Sequence, residues 1–124
     1  MRYIKTYEET TLSLKDDAVL VILKNAILKS NVELVKHIIN SGFDIKKYSV
    51  IIFDVLRVKM NSNDKEIFKI LVDAGVDVNI QNKYGITPLF TSIYGSKIHL
   101  DVIKYLIANG ADVNFSKNNI PLIF

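Results

Sequence analysis

The residues best suited to chemistry in this 124-residue chain are two histidines, His37 and His99, and thirteen carboxylates; cysteine is absent. Without cysteine there is no disulfide framework, thiolate metal site or thiol nucleophile, which fits a reducing compartment. An acid/base pair or a metal site needs its groups to converge, and neither histidine stands at a spacing that metal sites use. Glu33, Glu66 and Asp101 recur at near-constant intervals, which makes them a row on a surface and not a dyad. Glycine offers no phosphate cradle either, because Gly42, Gly75 and Gly110 each follow an apolar stripe, Gly85 lies in a polar link and Gly95 in a loop. No phosphate loop, nucleophile elbow or dinucleotide fingerprint occurs. The sequence therefore predicts no catalytic, cofactor-binding or metal-ligating residue.

Lysine is arranged in the same rows. Lys36, Lys69 and Lys104 each stand three residues after an acid, a spacing that pairs opposite charges on a helix and nearly cancels the local field. Lys46, Lys47, Lys83 and Lys117 are less balanced and lie near Tyr48, Tyr84 and Phe115. Basic residues interleaved with aromatics can grip nucleic acid, or an acidic protein surface on which tyrosine is an effective anchor. The overall charge of +3 is too small to choose between them.

These residues are positioned by a repeat. The segment from Val32 to Ile45 matches Lys65 to Val78 at a shift of 33 residues, and Leu100 to Val113 at a further 35. Each copy reads acid, two apolar residues, lysine, any residue, two apolar residues, two spacers, glycine, any residue, aspartate, apolar. Apolar residues at i, i+1, i+4 and i+5, such as Leu34, Val35, Ile38 and Ile39, form one stripe of a short helix. The glycine that follows is suited to the left-handed residue that ends a helix. A further helix precedes the first and third copies: Val19 to Lys29, with Leu23, Ala26 and Ile27 inward, and one opened by Thr87 as cap and Pro88 in the first turn. The unit is helix, turn, helix and polar link, so the fold class is all-α.

Length bounds the rest. The chain has room for one domain or a short stack of such units, and its 49% apolar content exceeds that of a disordered tail. Its longest apolar run, Ala18 to Leu23, is far short of the roughly 20 residues of a membrane helix. An abundance of isoleucine, lysine and asparagine beside two arginines points to AT-rich coding DNA and to nothing functional.

Gly85, Thr87-Pro88-Leu89 and Asn109-Gly110-Ala111-Asp112-Val113-Asn114 resemble the ankyrin repeat signature. The resemblance covers residues 18–124 and implies a solenoid of antiparallel helix pairs with hairpin-like fingers. Its units are 18–45, a divergent 46–79, a well-formed 80–114 and a truncated fourth at 115–124. Residues 1–17 are an N-terminal extension suited to capping the first unit. In the second unit Val50-Ile51-Ile52-Phe53 takes the place of Thr-Pro-Leu, with a shortened finger and a lengthened inter-helix turn from Lys59 to Asp64. Ile120-Pro121-Leu122 opens the fourth unit. The C-terminal end is then an uncapped apolar stripe, expected to signal a truncated array or to support self-association.

The resemblance implies a non-enzymatic, cytoplasmic module that binds a partner protein through its concave face, without cofactor or membrane. By the same resemblance the contact positions map onto Lys83, Tyr84, Ile86, Tyr94 and Asn109, and in the second unit onto Lys47, Tyr48 and Arg57, with Leu28, Lys29 and Ser41 the weakest. Competing readings are an inhibitor or antidote, a host-directed effector of an intracellular bacterium or large DNA virus, and a remnant of a longer array. Nucleic-acid binding through the basic fingers ranks below them.

Overall fold

The computed structural model describes residues 16–57, 60–95 and 97–114. Residues 16–28 form α1; α2 is Val32–Asn40, α3 Ile52–Arg57, α4 Ser62–Asp73, α5 Pro88–Tyr94 and α6 Leu100–Ala108, with no strand among the described residues. The helices alternate between two rows: α3 packs on α5, α2 on α4, and α3 and α5 pack on the second helix of their own units, α4 and α6. Register places α1 in the first row, and its inward residues Leu23, Ala26 and Ile27 join one continuous core with Val35, Ile52, Val55, Ile67, Phe68, Leu71, Leu89 and Leu106. Short amphipathic helices gain stability by stacking in this way, since each buries its stripe against a neighbour.

The repeated glycines end the second-row helices. Gly42, Gly75 and Gly110 have φ of +93°, +100° and +96°. After α4 the Val76 N–H bonds to the Leu71 carbonyl and the Gly75 N–H to that of Val72; after α6 Ala111 and Gly110 do the same to Leu106 and Ile107. These are Schellman closures, which satisfy carbonyls that the helix leaves over and turn an apolar residue back onto the stripe.

Four expectations change. α1 is already helical at residue 16, so the boundary drawn at residue 17 falls within a helix. The second unit has no finger: Ile45–Ile51 is a 3-10 helix, broken at Tyr48, that runs straight into α3. Its sequence, Ile45-Lys46-Lys47-Tyr48-Ser49, carries no glycine or asparagine to reverse the chain. Ser49 stands in for the missing turn, donating to the Lys46 carbonyl at 2.9 Å and accepting the Asp77 N–H at 3.0 Å.

The lengthened turn is also absent as such. Ser62 to Asp64 form an additional first turn of α4, set by a reciprocal cap in which Asn61 Oδ1 accepts the Asp64 N–H at 2.8 Å and Asp64 Oδ2 accepts the Asn61 N–H at 3.1 Å. Asp64 is buried, and its other oxygen accepts the Ser30 hydroxyl. Lastly, the charge rows run mainly between helices. Glu33 and Lys36 stand 3.9 Å apart within α2, but Lys36 is closer to Glu66 on α4, at 3.3 Å, and Asp101 on α6 is met by Lys65 at 3.0 Å. Lys69 instead lies over the Tyr105 ring. Stacking brings the acid of the next helix nearer than the acid three residues back. The expected N-terminal cap and fourth unit lie outside the described residues.

Candidate interaction surface

Asn82 organises an exposed hairpin of the stack. Its N–H bonds to the Ile86 carbonyl at 3.0 Å and its carbonyl accepts the Gly85 N–H at 2.9 Å, which closes a short hairpin. Its side-chain oxygen then accepts the N–H groups of Tyr84 and Ile86, at 2.8 and 3.1 Å. Gly85 supplies the positive φ, +74°, that lets the chain return. Asn82 is thus committed to shape, and Lys83 and Tyr84 at the tip are left to face outward. The Lys83 ammonium sits 5.1 Å from the centre of the Tyr84 ring, within cation–π range, and Tyr84 remains 61% exposed. Ile86, on the returning arm, is half-buried.

The hairpin leads into α5, where Thr87 accepts the Phe90 N–H and Pro88 opens the helix. Tyr94 is the last residue of α5, 54% exposed, with its ring 4.6 Å from Phe90. Tyr84 and Tyr94 therefore flank one short helix, whose seven residues rise about 10 Å. Tyr94 also belongs to a row. Leu28, Arg57 and Tyr94 are the last helical residues of α1, α3 and α5, and all three are exposed. Arg57 pairs with Asp54 one turn earlier, at 3.6 Å.

A sequence model of ankyrin repeats in three copies matches residues 55–124, more than half of the chain. The chain belongs to the ankyrin repeat family. Among curated proteins it is 36% identical over 74% of its length to alpha-latrocrustotoxin-Lt1a of Latrodectus tredecimguttatus, 6% of which is covered. It is 30% identical over 65% of its length to an ankyrin repeat protein of Borreliella burgdorferi, covering 35% of it, and 39% identical over 47% to one of fowlpox virus, covering 12%. The chain thus spans about a third or less of the length of these relatives. No solved structure matches. Protein–protein interaction is the general role of ankyrin repeats.

The remaining expected contact residues are dispersed. Lys47 is exposed in the 3-10 segment, whereas Tyr48 beside it is half-buried, stacked on Phe43 with centroids 5.5 Å apart. Packing claims most of the Tyr48 ring. Asn109 is exposed at the end of α6, but its amide donates to the Tyr105 carbonyl at 2.8 Å and serves as a helix cap. The ankyrin stack therefore gathers Lys83, Tyr84 and Ile86 on the hairpin and sets Tyr94 at the far end of the helix it leads into. Arg57 joins Tyr94 by row, while Lys47, Tyr48 and Asn109 lie on other elements.

Leu28, expected as one of the weaker contacts, and Val50, which was not expected, are also exposed. Val50 is exposed at the register position of Thr87, and Leu28 heads the row continued by Arg57 and Tyr94.

Asp77 and Asp112 have backbone work, each accepting the N–H two residues on, at 2.9 Å. Asn79 crosses between units: its amide donates to the Gly110 carbonyl at 2.9 Å and its oxygen accepts the Asp112 N–H at 2.8 Å. His37 is exposed on α2, and His99 precedes α6 without capping it. Among the described residues no group of three or more His, Asp or Glu side chains could hold a metal ion, and no helix is long and apolar enough to cross a membrane.

Proposed function

We propose that this chain is a non-enzymatic binding module that grips a partner protein through the 82–86 hairpin and the exposed side of the first-row helices. The observation that carries the reading is the division of labour at the hairpin: Asn82, Gly85 and Thr87 hold the backbone, and Tyr84 and Tyr94 keep most of their area in solvent. A rigid surface binds with a small ordering cost, and tyrosines on such a surface are effective anchors. Replacing both tyrosines by alanine should weaken partner binding by more than about tenfold, as loss of anchor residues does, with the far-UV circular dichroism unchanged. Unchanged affinity would remove this face from the reading.

A second reading places the module in the cytoplasm of a host cell, as an effector or an inhibitor of a host protein. It is supported by the ankyrin repeat relatives in two large DNA viruses and a bacterium. A capture of the partner from host extract and not from the producing cell tests it. Nucleic-acid binding through Lys47 and Lys83 is tested by salt titration against a generic duplex, since phosphate contacts strengthen as salt falls. Self-association at the C-terminal end is a further mode of contact, supported by the exposure of Leu100 and Ile107 on α6.

A further inference from the structure

The three second-row helices share one register, in which Glu33, Glu66 and Asp101 correspond, as do Lys36, Lys69 and Lys104, and Ile39, Val72 and Ile107. Contacts within the stack define the side that each helix turns to the next unit. On α2 it holds Lys36, which meets Glu66; on α4 it holds Lys65 and Phe68, which meet Asp101 and Tyr105. Val72 lies on the same stripe of α4 and is 6% exposed, whereas its counterpart Ile107 on α6 is 45% exposed. Leu100, the counterpart of Lys65, is more exposed still. Between them stands Lys104, which among the described residues has no ion-pair partner.

The opposite end carries the complement. Glu33 is the counterpart of Glu66 and Asp101, both of which accept a lysine from the preceding unit, yet its own side chain is 88% exposed. On α1, Ile22 is exposed although its counterparts Ile51 and Pro88 are buried. One end thus offers apolar side chains around a lysine, and the other a carboxylate beside apolar side chains, in the register that the interior contacts use.

We propose that a second copy of this chain stacks head to tail on the first, with α6 of one protomer against α2 of the other. In this arrangement Lys104 meets Glu33 of the partner subunit, repeating the Lys36–Glu66 contact, and Ile107 is covered as Val72 is. The contact joins two different surfaces and does not close on itself, so the assembly grows with concentration. The proposal rests on the self-association reading and is separate from the hairpin surface, because neither Tyr84 nor Tyr94 lies on α2 or α6.

Sedimentation velocity of the 124-residue chain over a wide concentration series tests it. The mass should rise above 14.1 kDa with concentration for the wild type and for Tyr84→Ala/Tyr94→Ala. It should stay at the monomer value for Ile107→Glu. Lys104→Glu and Glu33→Lys should each weaken association several-fold, and the double variant Lys104→Glu/Glu33→Lys should restore it. A wild type that stays monomeric throughout overturns the proposal. Association that is indifferent to Ile107→Glu and to both charge reversals also overturns it, while leaving self-association through another face.

Discussion

Asn79 does at one position what most of the polar residues here do singly: it satisfies backbone groups that a change of chain direction leaves over. Its side chain reaches both the Gly110 carbonyl and the Asp112 N–H, so Asn79→Ala removes two bonds that tie consecutive links together. The expected loss is about 1–2 kcal/mol, the net worth of one or two partly exposed hydrogen bonds, read as a lower urea midpoint with an unchanged slope. Charge acts at this scale too. The Lys65 ammonium hydrogen-bonded to Asp101 holds that carboxyl below the usual carboxylate range, against a smaller opposing effect of burial. A carboxyl lowered in the fold stabilises it above the unfolded value of about 3.9, and that contribution is lost as pH falls through the folded value. Asp101→Asn should therefore lower stability slightly at neutral pH, where the pair is intact, and make the fall below about pH 4 shallower, so that the two profiles converge in acid. An unaltered acid limb would show that the pair contributes nothing. At the alkaline end the carboxylate of Asp73, which accepts the Tyr105 hydroxyl, raises the Tyr105 phenol; its contribution is present below about pH 10 and is lost as pH rises through the raised value.

Among elements, α4 shows how a divergent unit keeps its place in the stack. The extra residues between α3 and the expected start of α4 are taken up as one more helical turn, fastened by Asn61 and Asp64 and by Ser30 of the preceding unit. Asn61→Ala should cost about 1 kcal/mol, in line with the loss of an N-cap. Hydrogen exchange should accelerate at Asp64 and Lys65, whose amides bond to Asn61, with little change in α6. Equal protection in the variant would mean that packing and not the cap holds the turn. The helix ends at Gly42, Gly75 and Gly110 and the start of α5 at Thr87-Pro88 are legible in the sequence because local chemistry there admits one solution. The 3-10 segment is not legible, because Ser49 takes the place of the finger through an acceptor role toward Asp77 that is 28 residues away. The cap of α4 carries a readable sign, an asparagine three residues before an acid, but it competes with the reading of Asn61-Ser62-Asn63 as a turn. Of the proposed contact residues, Tyr84 and Tyr94 come from the family resemblance, whereas the stacking of Tyr48 on Phe43 is a tertiary fact that the sequence pattern does not contain.

At the scale of the whole molecule, the fold is a series of like units whose cohesion comes from neighbours, with a core that runs unbroken from Leu23 to Leu106. Among the described residues that architecture presents an outer face of interleaved charge and a side formed by the hairpin and the first-row helices. Ion pairs on the outer face are exposed and contribute little individually, and the partner binding proposed above is assigned to the tyrosine-bearing side. The decisive measurement is affinity capture from native extract with the wild type and Tyr84→Ala/Tyr94→Ala side by side, followed by calorimetric titration of the captured protein against both. The wild type should retain the protein and bind it more than about tenfold tighter than the double variant, with identical thermal unfolding of the two modules. Equal retention and equal affinity would contradict the assignment of this face as the binding surface.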